Sequence, residues 1–219
     1  MVKKTIVRLI VSLLAFVLLY YVVTQYGLSD PTSKGLLHVK LSEPDFSLSP
    51  WIYVLYAHIV TACLAVAIGP FQLFIKPKRR GVRLHRVLGY IYVASIYISG
   101  LVSIYLCIFA TGGWKAGLGF FSLDILWMAS TWIAIRQAVK KNITAHREWM
   151  LRSYALTLAA VSFRVWLMLA TPLFGDQFLS AYQLSAWLCW VGNLVFMELF
   201  IVMTRKKKGI QTGSGLNLR

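Results

Sequence analysis

Residues 51–75 read WIYVLYAHIVTACLAVAIGPFQLFI, with no Asp, Glu, Lys or Arg among them. A bilayer core about 30 Å thick is crossed by about 20 apolar residues in a helix. In lipid the helix also satisfies its own backbone hydrogen bonds, which few other folds can do. The stretch therefore reads as a transmembrane helix, and it does not stand alone. Runs of similar character occupy about 6–26, 87–110, 117–139, 149–173 and 180–203. Composition agrees: 58% of the 219 residues are hydrophobic and 14% charged, against roughly a quarter charged in soluble domains. A soluble globular enzyme, a disordered chain and a coiled coil are excluded, since none could hide this much apolar surface.

The breaks between runs carry turn chemistry. The segment 27–50 is polar and holds Pro31, Pro44 and Pro50; 76–83 reads KPKRRGVR; Thr111-Gly112-Gly113 is a hairpin loop; 136–147 is basic; and 172–177 is a short turn. The first run lacks a small-residue cleavage site of the A-x-A type and reads as a retained helix. Charge sets the orientation. With the N-terminus inside, the inner segments hold 19 of the 23 Lys and Arg, while the outer ones hold only Lys34, Lys40 and Lys115. The expected fold is an all-α integral membrane bundle of six transmembrane helices with both termini cytoplasmic. Residues 1–50 form the first helix and outer loop, 51–203 a five-helix core and 204–219 a basic tail. The net charge of +16 is thus a topology signal and a means of meeting anionic lipid head groups on the cytoplasmic side, rather than a nucleic-acid footprint. Cys63, Cys107 and Cys189 match no metal or redox spacing and read as small buried hydrophobes.

Ionisable groups at membrane depth cost a few kcal/mol each, so they need partners or a purpose. His58, Asp124 and Arg164 each fall seven to nine residues from the outer end of their helix. At about 1.5 Å per residue they share a depth of about 10–14 Å. They are expected to line one polar pocket as an Asp–Arg pair with a histidine beside it; a structural ion pair is the alternative. At the inner boundary, His85-Arg86 and His146-Arg147 share a depth and a context, with Glu148, Arg152 and Glu198 in reach. These rings are expected to approach one another across their helices. His146, Ser153, Thr157 and Arg164 would line one face of a continuous helix, since 18 residues make five turns. His85, Gly89, Tyr92, Ser99 and Ser103 make a similar stripe, and Ala57, Thr61, Ala65 and Gly69 form a small-residue packing face. Gly69-Pro70 is expected to kink its helix. Trp51, Trp114, Trp149 and Tyr182 fall at helix ends, as interfacial aromatic belts do.

These residues also carry a resemblance. The motifs are His58 with Gly69-Pro70-Phe71-Gln72; Leu84-His85-Arg86, then Gly89 and Tyr92; Ala145-His146-Arg147, Trp149-Met150 and Arg152-Ser153-Tyr154-Ala155-Leu156; Arg164; and Ala186-Trp187-Leu188-Cys189-Trp190-Val191 through Asn193 to Glu198. Across about residues 51–203 the chain resembles the bacterial multi-pass membrane-protein family known as domain of unknown function 2306. Gly192 stands where that pattern expects proline. The resemblance implies an inner-membrane protein and singles out His58, His85, Arg86, His146, Arg147, Arg152, Asn193 and Glu198. It implies no activity.

Three functions fit. The leading one is a b-type-cytochrome-like redox protein. Its haem b, if one is bound, would be held by His85 and His146, with Arg86, Arg147 and Arg152 near the propionates and a quinone or membrane protein as electron partner. The second is a binding or transport protein for a small molecule, lipid or proton, built on His58, Asp124, Arg164, Asn193 and Glu198. The third is an accessory or assembly subunit without chemistry. No nucleophile elbow, phosphate loop, zinc signature or aspartyl dyad is present, so whether the chain is an enzyme stays open.

Overall fold

A computed structural model describes residues 2–30, 32, 35–42, 46–74 and 81–214. Within them the chain is helical throughout: α1 (Val2–Val22), continued by a π-helical turn (Val23–Leu28), α2 (Gly35–Leu41), α3 (Trp51–Phe74), α4 (Val82–Ile108), α5 (Gly113–Val139), α6 (Ile143–Thr157), α7 (Ala159–Phe174) and α8 (Phe178–Ser214). Five helices are long and apolar enough to cross a membrane, counting α1 with its π turn as one. The pair α6 and α7, bent by 45° at the break between them, is together long and apolar enough for a sixth crossing. Lys76, Lys78, Arg79, Arg80 and Arg219, which carry part of the orientation argument, lie outside the described residues.

Turns form where the sequence provides them. Gly112 and Gly113 adopt φ of +93° and +69°, a backbone open to glycine at little cost, and they join α4 to α5 in a tight hairpin. Asn142 caps α6 by accepting from the Ala145 amide at 3.1 Å. Gly175, at φ +53°, turns the chain between α7 and α8. Pro70 lies inside α3, which runs unbroken to Phe74.

Small residues set the helix spacings. A Cβ at Gly117 would strike the Cys107 carbonyl, so α4 and α5 touch backbone to backbone there. A Cβ at Gly69 would strike the Tyr154 ring, whose hydroxyl donates to the Val66 carbonyl of α3 at 3.2 Å. Of the expected small-residue face on α3, Ala65 and Gly69 pack inside while Ala57 is exposed. The central core joins Ala65, Ile68, Tyr92, Ile96, Trp127, Tyr154 and Leu156. A smaller cluster of Ala15, Leu18 and Val66 holds α1 to α3. Outward faces are apolar and exposed, as on Leu13, Phe16 and Tyr20 of α1, which suits lipid rather than water as the solvent.

Two expectations are corrected. The fifth apolar run is not one helix: the ladder breaks at Leu158, so the stripe from His146 to Arg164 is not a single straight face. The break has a partner on α8, where Asn193 Nδ2 donates to the Ala155 carbonyl at 2.8 Å and Asn193 Oδ1 accepts from Ser162 Oγ at 2.7 Å. One side chain thus bonds both halves of the broken helix. The aromatic belt is also only partial. Trp114 is 72% exposed, but Trp51 at 9% and Tyr182 at 8% are core residues.

Candidate functional site

A cavity of about 300 Å³ lies at the α2 end of the bundle, lined by residues of every helix from α1 to α8, α6 contributing its last residue, Thr157. His58, Asp124 and Arg164 all line it. His58 and Asp124 are both tied to α4, at different levels, and Arg164 to α1 and its own helix. His58 Nδ1 faces Ser99 of α4, 3.0 Å from its hydroxyl and 3.3 Å from its carbonyl. Asp124, only 4% exposed, accepts from Ser103 Oγ and, at 3.6 Å, from Cys107 Sγ. These donors reach it because Gly117, two turns before Asp124 on α5, lets α4 come close. Arg164 points to α1: its guanidinium stacks on the Tyr21 ring at 4.5 Å and donates to the Ala160 carbonyl at 2.7 Å.

The expected Asp124–Arg164 ion pair is not among the contacts of the described residues. Asp124 is drawn to the α4–α5 seam, and Arg164, beyond the break at Leu158, is turned to the α1–α7 seam. They share a cavity and no bond. Most of the remaining lining is apolar, including Leu18, Leu55, Ile59, Val66, Leu123 and Phe163. Leu37 and Lys40 of α2, both buried, close over it.

Three buried side-chain polar atoms among the described residues have no hydrogen-bond partner: Nε1 of Trp51, Nε of Arg164 and Nε1 of Trp190. All are N–H donors, and Trp51 and Arg164 line the cavity. Such an orphan costs about 1–3 kcal/mol.

Below the cavity runs a web of hydroxyls that the sequence reading saw only in part. Tyr92 OH lies 3.0 Å from both Ser153 Oγ and Thr157 Oγ1, Ser153 lies 2.8 Å from Thr131 Oγ1, and Trp127 Nε1 donates to Thr157 at 2.9 Å. All five residues are buried. Thr157 also lines the cavity. Tyr92, Ser153 and Thr157 stood out as stripe residues; Trp127 and Thr131 did not, because they look like ordinary core on an apolar helix.

Asn193 and Glu198 do not line the cavity. Asn193 serves the helix break. Glu198 makes a two-pronged ion pair with Arg152, at 2.5 and 2.9 Å, toward the basic end. Arg205 pairs likewise with Glu148, and Arg152 also stacks on Trp149 at 4.5 Å. His85 lies within electrostatic reach of His146. The His146 Nδ1–H donates to the Ala134 carbonyl at 2.8 Å, and the His85 carbonyl accepts from Gln72 Nε2 at 2.8 Å. Neither ring lines the cavity. Arg86 and Arg147 are exposed. No group of three or more His, Cys, Asp or Glu arranged for a metal ion occurs among the described residues.

Apolar helices of spanning length, with ionisable groups turned inward, define a multi-pass membrane protein. The chain belongs to the family described as predicted membrane protein (DUF2306), whose model matches residues 55–201. Comparison with curated proteins and with solved structures gave no match. The matched range covers α3 to α8 up to Ile201, and so His58, Asp124, Arg164, His85 and His146; it omits α1, α2 and the basic end of α8.

Proposed function

We propose that the chain binds a small amphipathic molecule in the cavity beneath α2 and serves its passage across or along a bacterial cytoplasmic membrane, with the basic end facing the cytoplasm. One observation carries this reading: an apolar cavity holds His58 and Asp124, each bonded to α4, and Arg164, held by α1 and its own helix, so that polar groups face a common space without neutralising one another. A cavity of about 300 Å³ sits at the small end of ligand pockets, about 300–1,000 Å³. The apolar lining would take a hydrocarbon body and the three polar groups would orient its head. Leu37 and Lys40 put α2 where a lid would be.

Equilibrium binding tests it. Nanodiscs holding the protein should take up labelled octanol saturably, beyond what empty nanodiscs absorb. Ala62→Trp, which fills the cavity from α3, should remove that component. Uptake equal to that of empty nanodiscs would end the reading.

A redox reading keeps one specific support. Because the Ala134 carbonyl can only accept, His146 carries its proton on Nδ1, leaving the Nε2 lone pair for a ligand role; His85 lies nearby. These two histidines would hold a haem b by their ring nitrogens, where it would supply one-electron chemistry. Arg86 and Arg147 are available to its propionates, whereas Arg152 is committed to Glu198. An absorption spectrum of purified protein decides: a Soret band supports this reading and a bare 280 nm peak removes it.

A further inference from the structure

We infer that the ligand of this cavity is an anion: a single-chain organic acid whose carboxylate is held by Arg164. The inference rests on the cavity reading above and names its ligand class. Arg164 has five N–H donors. One meets the Ala160 carbonyl, the cation lies over the Tyr21 ring, and Nε is buried without a partner. No ion pair of Arg164 occurs among the described residues, although a guanidinium at membrane depth is costly without one. The one carboxylate in the lining, Asp124, is spoken for by Ser103 and Cys107 on the opposite seam.

The sign of the deficit points the same way. Both orphan buried groups in the lining, on Trp51 and Arg164, are donors. What the cavity lacks is acceptor oxygen and negative charge. A carboxylate brings both, and its two oxygens match the planar fork of arginine. The size limits the rest of the molecule. A space of about 300 Å³ suits one short chain and leaves no room for a two-chain phospholipid.

The test compares octanoate, octanol and octylamine on nanodisc-embedded protein at pH 7. A charge-assisted hydrogen bond is worth about 1.5–3 kcal/mol, so octanoate should bind roughly ten- to a hundredfold more tightly than octanol, with octylamine weakest. Arg164→Gln should bring octanoate to the level of octanol while octanol binding persists. Arg164→Lys, which keeps the charge and loses the fork, should fall between. This variant decides the matter if the glutamine form does not fold, an unchanged octanoate preference then counting against the inference. Octanol bound as tightly as octanoate by the wild-type protein would overturn the anion and spare the cavity reading. A preference for octanoate that survives Arg164→Gln would overturn Arg164 as its anchor. Nanodiscs of phosphatidylglycerol should leave octanoate binding as it is in phosphatidylcholine; displacement would make the ligand a lipid head group and overturn the single-chain acid. Saturable binding of none of the three would remove the cavity reading and this inference together.

Discussion

Asp124 draws its donors from α4 and Arg164 its contacts from α1 and its own helix, and this division has measurable energetics. Removing Asp124 as Asp124→Leu leaves Ser103 and Cys107 facing an apolar group. That change and Ser103→Ala should therefore couple by about 0.5–3 kcal/mol in a double-mutant cycle. Asp124→Asn combined with Arg164→Gln should add to within about 0.5 kcal/mol, read as unfolding free energy in mild detergent. Strong coupling in that second cycle would restore the direct pair that the sequence suggested. Each of the three residues was legible because charge and imidazole are rare in apolar helices. Their partners were not. Ser103 and Cys107 recur four apart on α4, which shows one polar edge of a helix but not which neighbour it meets. That neighbour is set by Gly117, a residue whose role is to have no side chain.

Among the elements, close approach does the positioning. A methyl at Gly117 would meet backbone, which cannot swing aside as a side chain can. Gly117→Ala should therefore cost about 1–3 kcal/mol, the usual range for overpacking, and weaken ligand binding by parting Asp124 from its donors. Gly119→Ala, where the nearest atom would lie at 3.2 Å, should cost less; thermal melts of the two variants compare them directly. Asn193→Leu removes the side chain that bonds both α6 and α7. It should cost about 1–3 kcal/mol for the carbonyl left unpaired, and hydrogen exchange should rise first around residues 155–162. The six apolar runs were readable from length alone, since a bilayer imposes a minimum span. The break at Leu158 was not, because the local sequence, LTLAAVSF, has neither proline nor glycine to announce it. It is marked instead by the polar Asn193, 38 residues beyond the Ala155 whose carbonyl it meets.

For the molecule as a whole, α1 and α2 lie outside the matched family range, yet both help enclose the cavity. The orientation proposed from charge makes a plain forecast. A reporter active only in the cytoplasm should work when fused after Arg219 and fail when inserted between Gly112 and Gly113; the reverse pattern would invert the molecule and put the cavity on the cytoplasmic side. The Asn193 contact bears also on how the chain is made. Synthesis runs from the N-terminus, so α6 and α7 leave the ribosome before α8 exists. Until α8 arrives, the Ala155 carbonyl lacks its side-chain donor in a solvent that offers no other, and the fifth crossing is unfinished. A chain that stalls after Gln177 should therefore be cleared by membrane quality-control proteases faster than one carried on past Asn193, and a pulse-chase of the two would read the difference. That difference would make the final helix an assembly checkpoint of the nascent protein, passed when its asparagine reaches the broken segment.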